Sequence, residues 1–255
     1  MVKRIVMFAY GVASYLVFLA TFLYAVGFIG GFGVPTRLDG ERQGTLGTAL
    51  AVNAGLLALF AVQHSVMARR WFKDWWTRLV PRPIERATYV LFSSVALLLL
   101  FAAWRPMGGT IWSASGPVRV ALYGLFAFGW ALLLYCTFLI NHFDLFGLRQ
   151  VWLALLGREY TPVPFAIPSL YRLVRHPLYV GWLFIFWMTP LMTLAHLVFS
   201  IGTTLYILAA IQLEERDLVH EYGQTYEDYR RRVPMLVPSG GGTTAVPTEI
   251  RSVST

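Results

Sequence analysis

Four groups of polar residues interrupt an otherwise apolar chain, and their types define the chemistry it can host. Arg175-His176-Pro177-Leu178-Tyr179-Val180-Gly181-Trp182 sets a guanidinium, an imidazole and a phenol at the mouth of an apolar run. Such groups are costly at a membrane boundary unless they hold something. Pro177 suits the first turn of a helix, where its missing N–H costs little, so Arg175 and His176 are expected at a helix entrance. Gly181 lets another group approach the helix backbone closely. Glu214-Glu215-Arg216-Asp217 closes the same run, and the two ends are expected to meet around a ligand. Beyond it Leu218, Tyr222, Tyr226 and Tyr229 recur at spacings of three or four and share one helical face. Paired carboxylates beside aromatic rings suit a nucleoside carrying an amine and a ribose, because a carboxylate pairs with an ammonium and accepts from hydroxyls. The plainer reading of this stretch is an amphipathic helix on a membrane. The remaining groups are Gln63-His64 and Asn141-His142-Phe143-Asp144.

The elements that must position these groups are membrane helices. Hydrophobic residues make up 57% of the chain and charged residues 13%, against about 25% charged in a soluble domain. Several apolar runs exceed the roughly 18 residues that a crossing needs. The sequence predicts an all-α polytopic bundle of about six spans. They cover roughly Ile5–Val34, Gly47–Ala68, Ala87–Trp104 and Val118–Asn141, then a helical hairpin from His176 to Leu213 broken near Pro190. A kinked span with a re-entrant piece is the alternative for that last run. Lys3-Arg4 precedes a long run without a small-residue cleavage site, so the first span is read as retained. Arg69–Arg86 mixes arginine with Trp71, Trp75 and Trp76, the composition of an interfacial segment. The segment 142–175 is expected along the surface, with a short amphipathic helix near Val151–Leu156. Gln212–Pro238 is charged and amphipathic. Residues 1–238 read as one domain and 239–255, rich in Gly, Thr and Ser, as a disordered tail.

Alternating these spans from an inside N-terminus puts 17 of the 21 lysines and arginines on one side. That asymmetry predicts six crossings with both ends cytoplasmic, and it accounts for the net charge of +8 without nucleic acid. Cys136, alone in its type, reads as a buried filler. The same topology brings Gln63, His64, Asn141, His142, Asp144, Arg175, His176, Tyr179, Glu214 and Glu215 to one depth, leaving only His196 comparable on the other side. Each residue taken singly is as well explained by capping or snorkelling. The set is harder to dismiss, because Gln63 and His64 sit within an apolar helix.

Arg175-His176-Pro177-x-Tyr179-x-Gly181, followed by Glu214-Glu215-x-x-Leu218 and the tyrosines from Tyr222 to Tyr229, resembles the C-terminal half of the isoprenylcysteine carboxyl methyltransferase superfamily. These are membrane methyltransferases that use S-adenosylmethionine. Gln63-His64-Ser65, the run Asn141 to Gln150, Tyr10-Gly11 through Phe32, and Val233-Pro234-Met235-Leu236-Val237-Pro238 are similar to the bacterial methanethiol S-methyltransferases, and the likeness reaches nearly to Pro238. The resemblance implies a bacterial inner-membrane enzyme that methylates methanethiol to dimethyl sulfide, with membrane lipid around it. It implies that Arg175, His176, Tyr179, Gly181, Glu214 and Glu215 hold S-adenosylmethionine, with Tyr226 and Tyr229 flanking the adenine. The thiol would need a base, and His64, His142 and Asp144 are the candidates; the arrangement favoured here is His64 oriented by Asp144. The plainer reading is that His142 and Asp144 cap the fourth span and fix the following loop. Gln63, Asn141, Phe143, Phe146 and Trp182 would shape a small pocket.

A prenylcysteine, a lipid or another small thiol is the rival acceptor. A metal enzyme built on these histidines is disfavoured because no two stand at the i, i+4 spacing, and no metal is expected. A transporter would carry polar residues through both leaflets. The Trp71–Trp76 segment suits lipid and a second subunit equally, which leaves the oligomeric state open.

Overall fold

The computed structural model describes residues 1–163, 165–238 and 249–250. Apart from Glu249–Ile250, the tail expected at 239–255 lies outside the described residues. The helices, numbered in chain order, are α1 (Val2–Gly30), α2 (Leu46–Ala68), α3 (Arg70–Trp76), α4 (Arg82–Ala103), α5 (Gly116–Ile140), α6 (His142–Leu145), α7 (Leu148–Leu155), α8 (Pro177–Trp187), α9 (Leu194–Tyr222) and α10 (Gln224–Arg232). Among them α1, α2, α4, α5 and α9 are long and apolar enough to cross a membrane. The hairpin expected after His176 is present as α8 and α9, but α8 has only 11 residues. At 1.5 Å per residue it reaches about 16 Å, roughly half of a hydrocarbon layer ~30 Å thick. The carboxylates expected to end the last span instead lie inside α9, which continues to Tyr222.

Local chemistry sets these boundaries. Thr45 caps α2 by accepting from the Thr48 N–H at 3.2 Å, and Thr193 caps α9 by accepting from His196 N–H at 3.3 Å. Pro177 opens α8. Asn141, with φ 150°, has a positive φ that side-chain-bearing residues rarely adopt, and it stops α5. Two glycines are required by close approach. A Cβ on Gly181 would lie 3.0 Å from the Gly129 carbonyl oxygen and from Leu133 N, so α8 packs backbone to backbone on α5. Gly147, at φ 85°, would press a Cβ to 2.6 Å from Ala87 N. That contact seats the α6–α7 turn on α4.

The ends of the bundle differ. At one end the segment 31–45 folds over the helices. Trp104 Nε1 donates to Leu38 O at 3.2 Å, and Asn53 bonds both backbone groups of Arg105 at 2.8 and 2.9 Å. The strand Thr110–Ser113 pairs antiparallel with Leu191–Thr193. His196, 0% exposed, has Nδ1 2.8 Å from Asp39 Oδ2 and Nε2 3.1 Å from Phe186 O. Thr193 Oγ1 donates to Asp39 Oδ1 at 2.5 Å. At the other end Arg69–Asp217 and Arg70–Glu221, at 2.7 and 2.6 Å, tie the interfacial helix α3 to α9.

Candidate active site at one end of the bundle

His64 sits in the last two turns of α2, facing α4. Tyr89 OH lies 2.9 Å from its Nε2 and 3.1 Å from Nδ1, and Ser93 Oγ lies 3.2 Å from Nδ1. Tyr89 and Ser93 are one turn apart, so α4 presents both hydroxyls on one face. Phe60, one turn before His64, stacks on the imidazole with ring centres 5.2 Å apart. Gln63 Nε2 reaches Met67 Sδ at 3.1 Å and Ser93 Oγ at 3.4 Å. Its Oε1 is buried and has no hydrogen-bond partner among the described residues. An unsatisfied buried acceptor costs about 1–3 kcal/mol, a cost tolerated where a ligand completes the bond. Ser65 Oγ meets Tyr206 OH at 3.1 Å, joining α2 to α9 beside the histidine.

The entrance of α8 and the end of α9 do meet. Arg175 Nε donates to Glu215 Oε1 at 2.7 Å, and His176 Nε2 lies 2.9 Å from the same oxygen. Tyr179 OH donates to Glu214 Oε2 at 3.1 Å. Arg175 also donates from NH1 to the carbonyls of Arg230 and Val233, pinning the chain beyond α10. His176 and Glu215 are buried and the Arg175 side chain is 10% exposed, whereas the Glu214 side chain is 46% exposed.

The turn after α5 forms a third assembly. Asn141 Oδ1 accepts from Asp144 N–H at 3.1 Å. His142 is buried between Tyr15 OH, 2.8 Å from Nε2, and Thr137 Oγ1, 2.9 Å from Nδ1, with its ring stacked on Phe138. Burial pushes its pKa below the usual imidazole value. Asp144 takes a 2.9 Å ion pair from Arg149 and a 3.2 Å bond from Tyr160 OH.

These positions redistribute the expected roles. Among the described residues Asp144 and His64 share no bond. The His64–Asp144 pair is not formed, because Arg149 and Tyr160 engage the carboxylate and hydroxyls orient the imidazole instead. Asn141 ends α5, while His142 and Asp144 brace the following turn, His142 against Tyr15 and Thr137 and Asp144 against Arg149 and Tyr160. Gly181 makes the close α5–α8 contact. Tyr226 and Tyr229, 1% and 3% exposed, pack with Ile167 and Val233, and Tyr229 OH donates to Tyr171 O at 2.7 Å. Of the five pocket residues, Gln63 borders His64, and Phe146 packs onto the neighbouring Met67, Tyr89 and Val90. Asn141 and Phe143 instead line a groove with Phe8 and Trp152, and Trp182 stacks on Phe186 and meets Trp130. Sequence reasoning missed Tyr89, Ser93 and Tyr206. The signal for the α4 pair was two hydroxyls at i, i+4 in an apolar helix, but their register against α2 is a tertiary fact.

Five helices long and apolar enough to cross a membrane, a short sixth and a polar cluster with an open acceptor at one end define an all-α integral membrane protein with an enzyme-like site. No family model and no solved structure matches the chain. Curated relatives do. A methanethiol S-methyltransferase of Crocosphaera subtropica is 59% identical over 237 residues, spanning 92% of this chain and 93% of the relative. One from Mycobacterium tuberculosis is 56% identical over 237 residues, spanning 92% and 97%. Nurim of Sus scrofa is 31% identical over 179 residues, spanning 66% and 68%. The chain belongs to the methanethiol S-methyltransferase family.

Proposed function

We propose that the chain transfers a methyl group from S-adenosylmethionine to the sulfur of methanethiol, giving dimethyl sulfide. The observation that carries this is 59% identity, over 92% of the chain, to a protein named for that activity. The reading takes residues 1–238 as one methyltransferase domain in a bacterial inner membrane. Both termini and the site lie on the cytoplasmic side, where the basic segments gather. Membrane lipid surrounds it and no metal takes part.

The residues at this end suit the methyl donor's charge. Glu214 is the carboxylate left half-exposed beside a closed ion network, and it suits an ammonium or ribose hydroxyls. Arg175, His176 and Glu215 engage one another, so their part is to fix the two helix ends that present Glu214 and Tyr179. S-adenosylmethionine supplies a methyl group already activated on a sulfonium. Holding two reactants in line can contribute roughly 7–11 kcal/mol, which makes positioning the chain's main task.

The acceptor needs a base, because the thiolate is the nucleophile and an alkyl thiol is mostly protonated at neutral pH. His64 takes that proton: the S–H bond breaks, the ring nitrogen gains the hydrogen, and sulfur keeps the electron pair. Tyr89 and Ser93 are positioning residues that set the ring. Arg86 steadies Tyr89 from 5.2 Å above its ring centre while donating from Nε to Leu145 O at 2.8 Å. Gln63 Oε1 is the open acceptor beside the imidazole.

Purified protein in detergent, given S-adenosylmethionine and methanethiol, should release dimethyl sulfide into the headspace. His64→Ala should lower the rate by about 10²–10⁴-fold while calorimetric binding of S-adenosylmethionine persists. No product from the parent protein would overturn the reaction, and a fully active His64→Ala would overturn the base.

A further inference from the structure

A cavity of about 180 Å³ lies between α2 and α9, lined by Leu57, Ala58, Phe60, Ala61, Gly202 and Tyr206. Its walls are apolar. Thr203, also on the lining, turns its hydroxyl back onto Phe199 O at 2.7 Å. Leu57 falls at the middle of the 23-residue α2, and Ala58 beside it is exposed. The opening therefore faces the hydrocarbon layer at mid-depth rather than water. Gly202 keeps α9 from filling the space, since a Cβ there would come within 3.1 Å of Leu57 Cδ1.

The inner wall is what gives this cavity a purpose. Phe60 stacks on His64 with centres 5.2 Å apart and meets Tyr206 edge-on at 6.2 Å. Tyr206 OH in turn bonds Ser65, the neighbour of His64. Two rings therefore separate the cavity from the imidazole assigned above as the base. From this geometry we infer that the cavity is the antechamber of the acceptor. A small uncharged thiol dissolved in the bilayer enters between α2 and α9 and reaches His64 past Phe60. Leu57, Ala61 and Gly202 set the largest thiol admitted. Entry from hydrocarbon suits a neutral apolar acceptor, while the charged donor meets the polar network around Glu214 from the other side. The inference rests on the reading that the chain methylates a thiol, and it adds the route and the residues that limit acceptor size.

Two variants test it in opposite directions, with dimethyl sulfide or the longer sulfide measured in the headspace. Ala61→Phe fills the cavity and should raise KM for methanethiol about tenfold or more, the scale of a hydrophobic pocket's discrimination. Its KM for S-adenosylmethionine should stay at the parent value. Leu57→Ala enlarges the cavity, and turnover of propanethiol relative to methanethiol should rise by a comparable factor. Should Ala61→Phe fail to fold, the Leu57→Ala ratio decides alone. An active parent whose variants keep its KM and its ranking of thiols overturns the antechamber and leaves the methyltransferase reading standing. A parent that makes no sulfide overturns that reading and this inference together.

Discussion

Each end of the bundle sets a histidine between helices, His196 at one and His64 at the other, and the two are held in opposite ways. His196 faces a carboxylate and a backbone carbonyl, and Thr193 closes the second oxygen of Asp39. His64 faces two hydroxyls, which donate or accept as required, and beside it Gln63 Oε1 is unpaired. The first arrangement is complete in itself and stitches the 31–45 segment to α9. The second leaves an acceptor open among the described residues. A histidine set between helices therefore points to a site only when its surroundings leave hydrogen-bonding capacity over.

The largest test of this contrast is Asp39→Ala. It strands His196 and Thr193 in a dry interior, and breaking a buried pair costs roughly 3–5 kcal/mol. The expected result is a clear loss of thermal stability in detergent, with KM values unchanged in the protein that stays folded. A variant as stable as the parent would show that the far end is not a structural clamp. Next in size is Gln63→Leu. Removing an unsatisfied buried acceptor should leave stability equal or higher by about 1 kcal/mol, while methanethiol turnover falls. A drop in stability with unchanged turnover would make Gln63 an ordinary packing residue.

The smallest effect concerns pH. Burial lowers the pKa of His142, so the folded protein holds this ring neutral more strongly than the unfolded chain does. Its contribution is therefore present above the unfolded value of about 6.5 and is lost as pH falls toward the lower folded value. Thermal midpoints taken from pH 7.5 down to 5 should decline less in His142→Gln than in the parent. Parallel curves would mean that the ring is not held neutral by its burial.

Much of this was legible because membrane helices advertise themselves. Long apolar runs, the basic residues gathered on alternate loops, Pro177 at a helix start and the break near Pro190 follow from the cost of placing polar groups in hydrocarbon. The meeting of Arg175 and His176 with Glu215 was also legible, since a hairpin must bring the ends of one run together. The length of α8 was not legible, because hydropathy does not distinguish helix from extended chain inside a continuous apolar stretch, and here Leu191–Thr193 finishes the run as a strand.

The sequence by itself determined an all-α membrane bundle and the residue types gathered at one end. It did so because hydropathy and charge act residue by residue along the chain. Only the tertiary structure decided which polar residue faces which. It gave Asp144 to Arg149 and Tyr160, gave His64 to Tyr89 and Ser93, buried Tyr226 and Tyr229 in a cluster of their own, and left Gln63 Oε1 without a partner. Those pairings depend on the rotation of each helix about its axis and on its register against its neighbours. Both are fixed by contacts such as Gly181 on Gly129 and Gly147 on Ala87, which no single segment encodes.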